Sequence, residues 1–288
     1  MDEPGHGPAG SGRVGLVVAR PVRMLGTEPY FMEFVAGIEE RLAGRGVSVI
    51  LHLVAMPEEE AATYRRWADR HLVDAVVVVN LTTDDERPAF LRALGLPAVL
   101  AGTWDGSPDL PAVRTDDAGP VREAVDRLVE LGHRDIARVT GPARLRHTAA
   151  RTAALTEACR AAGLPEPAVV EGDYSQASGE RLTLELLKGV SRPTAILYDN
   201  DAMAVAGLAA ARGLGVPVPE RLSLVAWDDS ILCRLAAPPL TTMSVDVYQY
   251  GASVAGTVLE VLDGVPVEPR WSPAARFVPR ASTAPARP

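Results

Sequence analysis

The stretch ILYDNDAMA (196–204) joins an apolar strand to a helix through three consecutive polar residues, Asp-Asn-Asp at 199–201. A second stretch, LSLVAWDD (222–229), repeats the pattern, because its apolar run ends on two aspartates. In parallel α/β sheets, ligands bind beyond the carboxyl ends of the strands. Two polar strand ends of this kind therefore indicate one shared polar pocket.

The rest of the chain alternates apolar runs with segments of helical periodicity. VGLVVAR, from Val14, has the pattern of a buried strand, and the next segment places apolar residues from Phe31 to Leu42 on one helical stripe. The alternation continues through strands beginning near Val47, Asp74 and Pro97, and it starts again after residue 116. Apolar strands separated by amphipathic helices predict parallel sheets covered on both faces. The fold class predicted is α/β, with two doubly wound parallel-sheet domains in tandem that face each other across a ligand cleft.

Composition limits the kinds of partner and compartment. With 29 basic and 37 acidic residues, the formal net charge is −8, so the chain as a whole repels a phosphate backbone and nucleic acid is not its expected direct partner. No apolar run approaches the roughly 20 residues of a membrane span, and no secretion signal opens the sequence. Two isolated cysteines fit a reducing compartment. We therefore expect a soluble, cytoplasmic protein without membrane contact.

Enzyme motifs are missing from the sequence. It contains no GxSxG nucleophile elbow, no GxxxxGK[ST] phosphate loop and no HExxH among its five histidines. His133, beside Gly132, has the setting of a turn residue just past a helix end. We predict a protein that is not an enzyme, with no catalytic residues, no metal site and no cofactor.

Four blocks together resemble the effector-binding region of LacI/GalR-type transcriptional regulators. They are VGLVVARPVRMLGTEPYFMEFVAGIEERLAGRGVSV, VRTDDAGPVREAVDRLVELGHRDIARVTGP, PTAILYDNDAMAVAGLAAARGLGVPVPERLSLVAWDDSILCRLAAPPLTTMSVD and RFVPRAST, which occur in the family's order between residues 13 and 283. The resemblance implies a periplasmic-binding-protein-like fold of type I. In that fold two subdomains, joined by three crossovers, close on a small effector, and the protein is a homodimer.

The resemblance also implies boundaries. Residues 13–129 with 246–272 are expected to form the N-terminal subdomain, and residues 130–245 with 273–283 the C-terminal one. Residues 1–12 and 284–288 are rich in Gly, Pro or Ala without periodicity, which predicts disordered tails. Family members carry a helix-turn-helix before the first strand, and only about a dozen residues precede it here. We expect this sequence to be a truncated regulator, with a natural sensor-only relative as the alternative.

Candidate effector contacts in the second half of the chain follow from matching positions. Asp228 matches the family aspartate that accepts bonds from effector hydroxyls, with a loop acid or helix cap as the alternative. Asn200 matches a residue facing the cleft, and Asp201 is expected to cap the following helix. Arg151 matches an arginine that reaches into the cleft from a helix start. Tyr174 matches an aromatic residue that stacks on the effector.

His147 and the first-half candidates complete the expected site. His147 stands where many relatives carry Ser or Thr, so it either alters effector choice or faces water. Tyr30 is the better pocket candidate of two adjacent aromatic residues, because Phe31 shares the helical core stripe. Asp117 matches a family aspartate near the cleft. Val245 replaces a polar residue that relatives often carry, which removes one expected contact.

The function implied is that of an effector-sensing domain of a LacI/GalR-like regulator. It would bind a small molecule, with a sugar or polyol favoured and a nucleobase as the alternative, and its closure would control DNA binding by the full-length repressor or regulator. Operator DNA would be contacted only through a helix-turn-helix outside this sequence. A solute-binding protein of a transport system, which has the same fold, is the alternative function.

Overall fold

The computed structural model describes residues 12–24, 29–104 and 110–287. They form two compact units, whose described residues are 12–24, 31–104, 110–114 and 247–272 in the first, and 29–30, 115–246 and 273–287 in the second. Within the described ranges the chain passes from one unit to the other after residues 30, 114, 246 and 272. Each unit contains one six-stranded sheet with helices. The predicted pair of doubly wound α/β domains is therefore confirmed.

The first unit is built on a parallel sheet. Its strands are β1 (Arg13–Ala19), β2 (Ser48–Val54), β3 (Ala75–Val78), β4 (Ala98–Ala101), β5 (Ala112–Arg114) and β11 (Arg270–Trp271). They lie in the order β11-β5-β4-β3-β1-β2, and each neighbouring pair is parallel. The short edge strand β11 belongs to the segment 247–272, which returns to this unit after residue 246, so early and late parts of the chain share one sheet.

Four helices accompany this sheet, and two of them approach closely. They are α1 (Pro29–Ala43), α2 (Glu58–Asp69), α3 (Arg87–Ala93) and α9 (Val247–Leu262), with a 3-10 helix at Val22–Met24. A Cβ at Gly37 of α1 would lie 2.0 Å from the backbone oxygen of Tyr248, and a Cβ at Gly251 of α9 would lie 2.2 Å from that of Phe34. Glycine at both positions lets the two backbones touch, because no side chain separates them.

The second unit has a mixed sheet. Its strands are β6 (Ile136–Thr140), β7 (Ala168–Glu171), β8 (Ala195–Tyr198), β9 (Ser223–Trp227), β10 (Thr241–Ser244) and β12 (Arg276–Val278). They lie in the order β12-β10-β9-β8-β6-β7, with β12 antiparallel to β10 and the other pairs parallel. Its helices are α4 (Gly119–Glu130), α5 (Arg146–Ala161), α6 (Gln176–Lys188), α7 (Asp201–Gly213) and α8 (Ile231–Leu235).

The predicted boundary between the subdomains, after residue 129, is wrong. The structural division falls after Arg114, so α4 belongs to the second unit. The apolar face of α4, which includes Val121, Val125 and Leu128, packs into one core cluster with residues of β8 and β9. An amphipathic helix joins the sheet that covers its apolar stripe, and that sheet is the second one here.

The C-terminal residues also differ from expectation. The backbone nitrogen of Ala286 donates to the oxygen of Leu131 at 2.7 Å, and the oxygen of Ala284 lies 3.1 Å from Nε2 of His133. The predicted disordered tail at 284–288 is therefore wrong for its described residues, because their backbone groups are hydrogen-bonded to the second unit. The other predicted tail, at 1–12, lies outside the described residues except for Gly12. None of the helices in the described part of the chain has the length and hydropathy needed to cross a bilayer.

Candidate functional site

The polar strand ends singled out in the sequence lie at the carboxyl edge of the second sheet. Gly141 follows β6, Asp199 follows β8 and Asp228 follows β9. Since β8 pairs in parallel with both β6 and β9, these strand ends meet at the same edge of the sheet. The sequence prediction that both polar strand ends share one region is therefore consistent with the topology.

Asp199, the first of the three polar residues after β8, forms a buried ion pair. Nε and Nη2 of Arg138 donate to its two carboxylate oxygens, each at 2.8 Å, and both side chains are 1% exposed. The backbone nitrogen of Gly141 donates to the same carboxylate at 2.9 Å, and Nη1 of Arg138 donates to Thr152 at 2.9 Å. All three guanidinium nitrogens have protein partners, so this pair supports the strand ends from within the core.

Asn200 caps α7 and braces a neighbouring loop. Its Oδ1 accepts from the backbone nitrogen of Met203 at 2.9 Å, and its Nδ2 donates to the backbone oxygen of Tyr174 at 3.0 Å. The prediction that Asp201 caps this helix is wrong, because Asp201 is the first helical residue and accepts a hydrogen bond from Ser230. The Asn200 side chain is buried, and both its amide nitrogen and its amide oxygen are hydrogen-bonded within the protein. Effector contact by Asn200 stays a prediction.

Arg151, on α5, forms the second charged pair of this region. Its Nε and Nη2 both approach Oδ1 of Asp117, at 3.1 and 3.0 Å, while Thr115 donates to Oδ2 of Asp117 at 2.8 Å. Burial alone would raise the pKa of Asp117, but Arg151 and then His147 outweigh it and lower that pKa. None of the hydrogen bonds between described residues uses Nη1 of Arg151. The guanidinium is thus anchored on one side and offers a donor on the other.

Trp227, the last residue of β9, lies directly beneath that guanidinium. The Arg151 Cζ is 3.7 Å from the centroid of the indole ring, which is a stacked cation–π contact. Trp227 is 6% exposed and belongs to the core cluster that also contains Met243. The indole is therefore a fixed surface on which Arg151 rests.

Asp228 and Tyr30 complete the cluster around Arg151. Asp228 has a φ of +69°, in the left-handed region, and its backbone nitrogen donates to Met243 at 3.1 Å. Burial raises the pKa of the Tyr30 hydroxyl, and Asp228 adds to that rise while Arg151 opposes it. Tyr30 therefore remains a neutral donor beside an acidic acceptor.

Two candidates belong to a different unit from the one expected. The sequence comparison placed Tyr30 and Asp117 in the first subdomain, but both are grouped with the second unit. The electrostatic neighbours of Tyr30 are Asp228, Arg151, Asp117 and Tyr174, all in the second unit. The correction follows from these contacts, because the ion pair with Arg151 ties Asp117 to α5.

Tyr174 and His147 form a hydrogen-bonded pair. The Tyr174 hydroxyl lies 2.7 Å from Nε2 of His147 and 3.4 Å from the hydroxyl of Thr148. The ring is 5% exposed, and a Cβ at Gly141 would lie 2.0 Å from its Cζ, so glycine makes room for the phenol. Stacking of Tyr174 on an effector stays a prediction. His147 does not simply face water, because it holds the tyrosine hydroxyl.

Phe31 is a core residue of the first unit. It is 3% exposed on the buried face of α1, and the guanidinium carbon of Arg20 lies 5.9 Å from its ring centroid. The core position follows the helical stripe predicted from the sequence. Effector contact by Phe31 stays a prediction.

Sequence reasoning missed Arg138 and Trp227. Each occupies a strand that reads as apolar, and neither matches a motif of chemical function. A signal did exist for Arg138, since a charged residue inside a buried strand requires a partner of opposite charge. For Trp227 the signal was its place directly before Asp228.

Comparisons with known proteins agree on one family. A family described as periplasmic binding protein-like domain matches residues 125–283. The HTH-type transcriptional regulator CelR of Thermobifida fusca is 32% identical over 260 residues, which cover 89% of this chain and 76% of that protein. These relatives are regulators and do not favour the transport alternative.

Solved structures show the same relationship. A LacI family transcriptional regulator from Bifidobacterium animalis subsp. lactis superposes with a TM-score of 0.87 at 33% identity, covering 96% of this chain and 98% of that one. The structure of a CelR–cellobiose complex gives a TM-score of 0.86 at 30% identity, covering 94% of this chain and 84% of that one. The chain belongs to the LacI family of transcriptional regulators, and its two units are the periplasmic-binding-protein-like region of that family.

Proposed function

We propose that the second unit binds a neutral sugar or polyol as an effector through Arg151, Asp228 and Tyr30. The proposal rests mainly on the hydrogen bonds and contacts of the Arg151 guanidinium. It is held by Asp117 and Trp227, and its Nη1 is not used in any hydrogen bond between described residues. Its side chain is 12% exposed, so a small molecule that reached it would meet a preset donor.

The three side chains supply complementary hydrogen-bonding groups. A sugar hydroxyl donates one hydrogen bond and accepts others, so a binding site needs donors and acceptors next to each other. Arg151 and the neutral Tyr30 hydroxyl supply donors, and the Asp228 carboxylate supplies an acceptor. Hydrogen bonds to charged groups are the stronger ones, which favours Arg151 and Asp228 as the main contacts.

The local charge favours an uncharged ligand. Asp117 already neutralises the charge of Arg151. The guanidinium therefore offers a ligand a directed hydrogen-bond donor more than a net positive charge. Asp228 adds a further negative charge near the same position, since it contributes to raising the pKa of Arg151. A phosphorylated ligand would meet this carboxylate, whereas a neutral hydroxyl would donate to it.

The relatives support the same ligand class and a regulatory role. CelR, 30% identical in its solved structure, was captured with cellobiose, which is a neutral sugar. A curated relative is an HTH-type transcriptional regulator. In the full-length regulator the effector would shift the populations of conformations that differ in operator affinity, and each ligand would change the affinity of the other by the same factor.

The proposed assembly is a homodimer that contacts operator DNA through the helix-turn-helix of the full-length regulator. Sedimentation at micromolar concentration would measure the assembly directly. We expect twice the monomer mass of 30.5 kDa. A single species of monomer mass would contradict the dimer without affecting the ligand proposal.

The ligand proposal is tested by a thermal-shift screen of sugars, polyols and nucleobases. A ligand at 100 times its dissociation constant adds about 2.7 kcal/mol of stability, which is a readily measured shift. Each hit is then titrated calorimetrically into wild type, Asp228→Asn and the control Asp126→Asn. Asn suits position 228 because it tolerates a positive φ, and residue 126 is an exposed acid on α4.

We expect Asp228→Asn to bind the hit more weakly by about fivefold to tenfold, because a charged acceptor becomes neutral. Asp126→Asn should bind as wild type does. Hits confined to nucleobases would replace the sugar class with another, and equal affinity in all three proteins would remove Asp228 from the site.

A further inference from the structure

Three contacts hold the Arg151 guanidinium, and together they restrict two kinds of movement. Nε and Nη2 converge on one oxygen of Asp117, at 3.1 and 3.0 Å, which fixes the guanidinium within its plane. The indole of Trp227, 3.7 Å below Cζ, fixes the plane itself. Asp117 alone would leave the group able to tilt, since both bonds end on the same atom.

Trp227 is itself packed into the core. It ends β9, where its backbone pairs with Met243 of β10, and its side chain is 6% exposed within the core cluster of the second unit. A Trp in this setting cannot rotate away without opening the core. The orientation of the indole ring therefore sets the plane of the Arg151 guanidinium.

The residue after Trp227 brings the acceptor to the same place. Consecutive side chains in a strand point to opposite faces, yet Asp228 also acts on Arg151, which the indole contacts. The positive φ of Asp228 interrupts the strand geometry at this point. Trp227 and Asp228 are thus neighbours in sequence that both act on the Arg151 guanidinium.

We propose that Trp227 is a positioning residue, which holds the Arg151 guanidinium so that Nη1 presents its donor in one fixed direction to the effector. Trp227 acts through Arg151 and need not touch the effector. The ligand part of this inference rests on the function proposed above, while the geometry can be tested without a ligand.

The ligand-free test is nitrogen-15 NMR of the Arg151 side chain. A guanidinium clamped by Asp117 and Trp227 rotates slowly, so its two Nη groups should give separate signals in the wild type. Trp227→Leu should merge or broaden them, and Trp227→Phe, which keeps an aromatic face, should restore separation in part. The matched control is Trp271→Leu, because Trp271 is 59% exposed on β11 of the first unit.

The ligand test is calorimetry with cellobiose and any further sugar found in the screen. Trp227→Leu should weaken binding by about tenfold, in line with the loss of a desolvated cation–π contact. Trp227→Leu and Arg151→Lys should not be additive, because both disturb the same donor. Trp271→Leu should leave the affinity unchanged.

The outcomes separate the two proposals. Unchanged Arg151 signals in Trp227→Leu, or additive losses of affinity, would overturn the positioning role. If neither cellobiose nor another sugar binds the wild type, the proposed function fails, and the NMR spectra still decide whether Trp227 orients Arg151. If Trp227→Leu does not fold, Trp227→Phe provides the comparison, with a reduced separation of the Nη signals expected and wild-type spectra contradicting the proposal.

Discussion

Two partly buried arginines, one in each unit, differ in how fully the protein uses their donors. In the first unit, Arg87 donates through Nε to Asp85, through Nη1 to Glu60 at 2.7 Å, and through Nη2 to Asp85 at 2.6 Å and to the backbone oxygen of Asn80 at 2.9 Å. In the second unit, Arg151 bonds through Nε and Nη2 to one oxygen of Asp117. All three nitrogens of Arg87 are engaged, whereas Nη1 of Arg151 is not used between described residues.

The comparison shows that burial of a charge does not by itself identify a binding site. Glu60 and Asp85 flank Arg87 with side chains 7% and 2% exposed, and burial raises the pKa of Glu60 despite the arginine. All three guanidinium nitrogens of Arg87 donate hydrogen bonds within the protein, which is typical of a structural ion-pair cluster. Arg151 has the same low exposure but retains a donor, and this difference is what points to a ligand.

The largest expected effect comes from removing the structural arginine. Arg87→Met would leave Glu60 and Asp85 buried without a cation, and breaking a buried pair in this way costs about 3–5 kcal/mol of stability. Chemical denaturation of the purified protein measures the change. Effector affinity per folded molecule should remain that of the wild type.

The control for this effect is an exposed pair. Arg160 and Glu157 contact each other at 2.6 Å on α5, with side chains 72% and 60% exposed. Arg160→Met should not change stability measurably, since surface pairs contribute little. An equal loss in both variants would show that burial of the Arg87 cluster does not matter.

A smaller effect, of a different kind, is expected at Arg151. Arg151→Lys keeps the positive charge beside Asp117 but loses the planar fork and with it the donor at Nη1. Binding of the effector found by screening should weaken by about 1.5–3 kcal/mol, which is roughly tenfold to a hundredfold. Calorimetry measures the effector affinity, and melting curves measure the thermal stability separately. Wild-type affinity combined with a lowered melting temperature would make Arg151 structural, like Arg87.

Which strand-end residue does what could not be predicted from local sequence. Asp199 and Asn200 are adjacent, yet their partners lie at Arg138, Tyr174 and Met203. Two of these three positions are more than 20 residues away, so only the folded sheet brings them together. The sequence correctly predicted a polar strand end, but it could not show which of its residues forms the ion pair and which caps the helix.

The fold was more predictable, because periodicity is a local property. Alternating strand and helix patterns predicted two α/β units, which the structure confirms. The same patterns misplaced α4, since an amphipathic helix has one apolar stripe whichever sheet covers it. Trp227 was overlooked for a related reason, because a buried aromatic residue in a strand is indistinguishable from ordinary core until Arg151 is placed over it.

An effect of about 1 kcal/mol is expected at Asn200, where two roles can be separated. Asn200→Ala removes the cap of α7 and the bond to Tyr174, and loss of a cap costs about 1 kcal/mol. Asn200→Ser keeps a capping oxygen but lacks the amide that braces Tyr174. We expect near-normal stability for the serine variant.

The serine variant also tests the role of Asn200 in binding. If Asn200 acts on the effector only through the loop of Tyr174, both variants should lose affinity to a similar extent. Calorimetry on Asn200→Ser, with thermal unfolding measured in parallel, provides the comparison. A stability loss in Asn200→Ser equal to that of the alanine variant would contradict the capping role.

The smallest expected effect is a pH dependence at His133, which lies outside both arginine clusters. His133 is 3% exposed, with Nδ1 at 3.0 Å from the Thr194 hydroxyl and Nε2 at 3.1 Å from the Ala284 oxygen. Burial lowers its pKa, although the bond to Ala284 opposes the shift. The unfolded state therefore binds the proton more readily, and stability is lost as pH falls below about 6.5, towards the lower folded pKa, by at most about 1.4 kcal/mol per pH unit. Unfolding of wild type and His133→Gln between pH 8 and 5.5 isolates this contribution, since Gln cannot titrate, and equal pH slopes in the two proteins would show that His133 does not contribute.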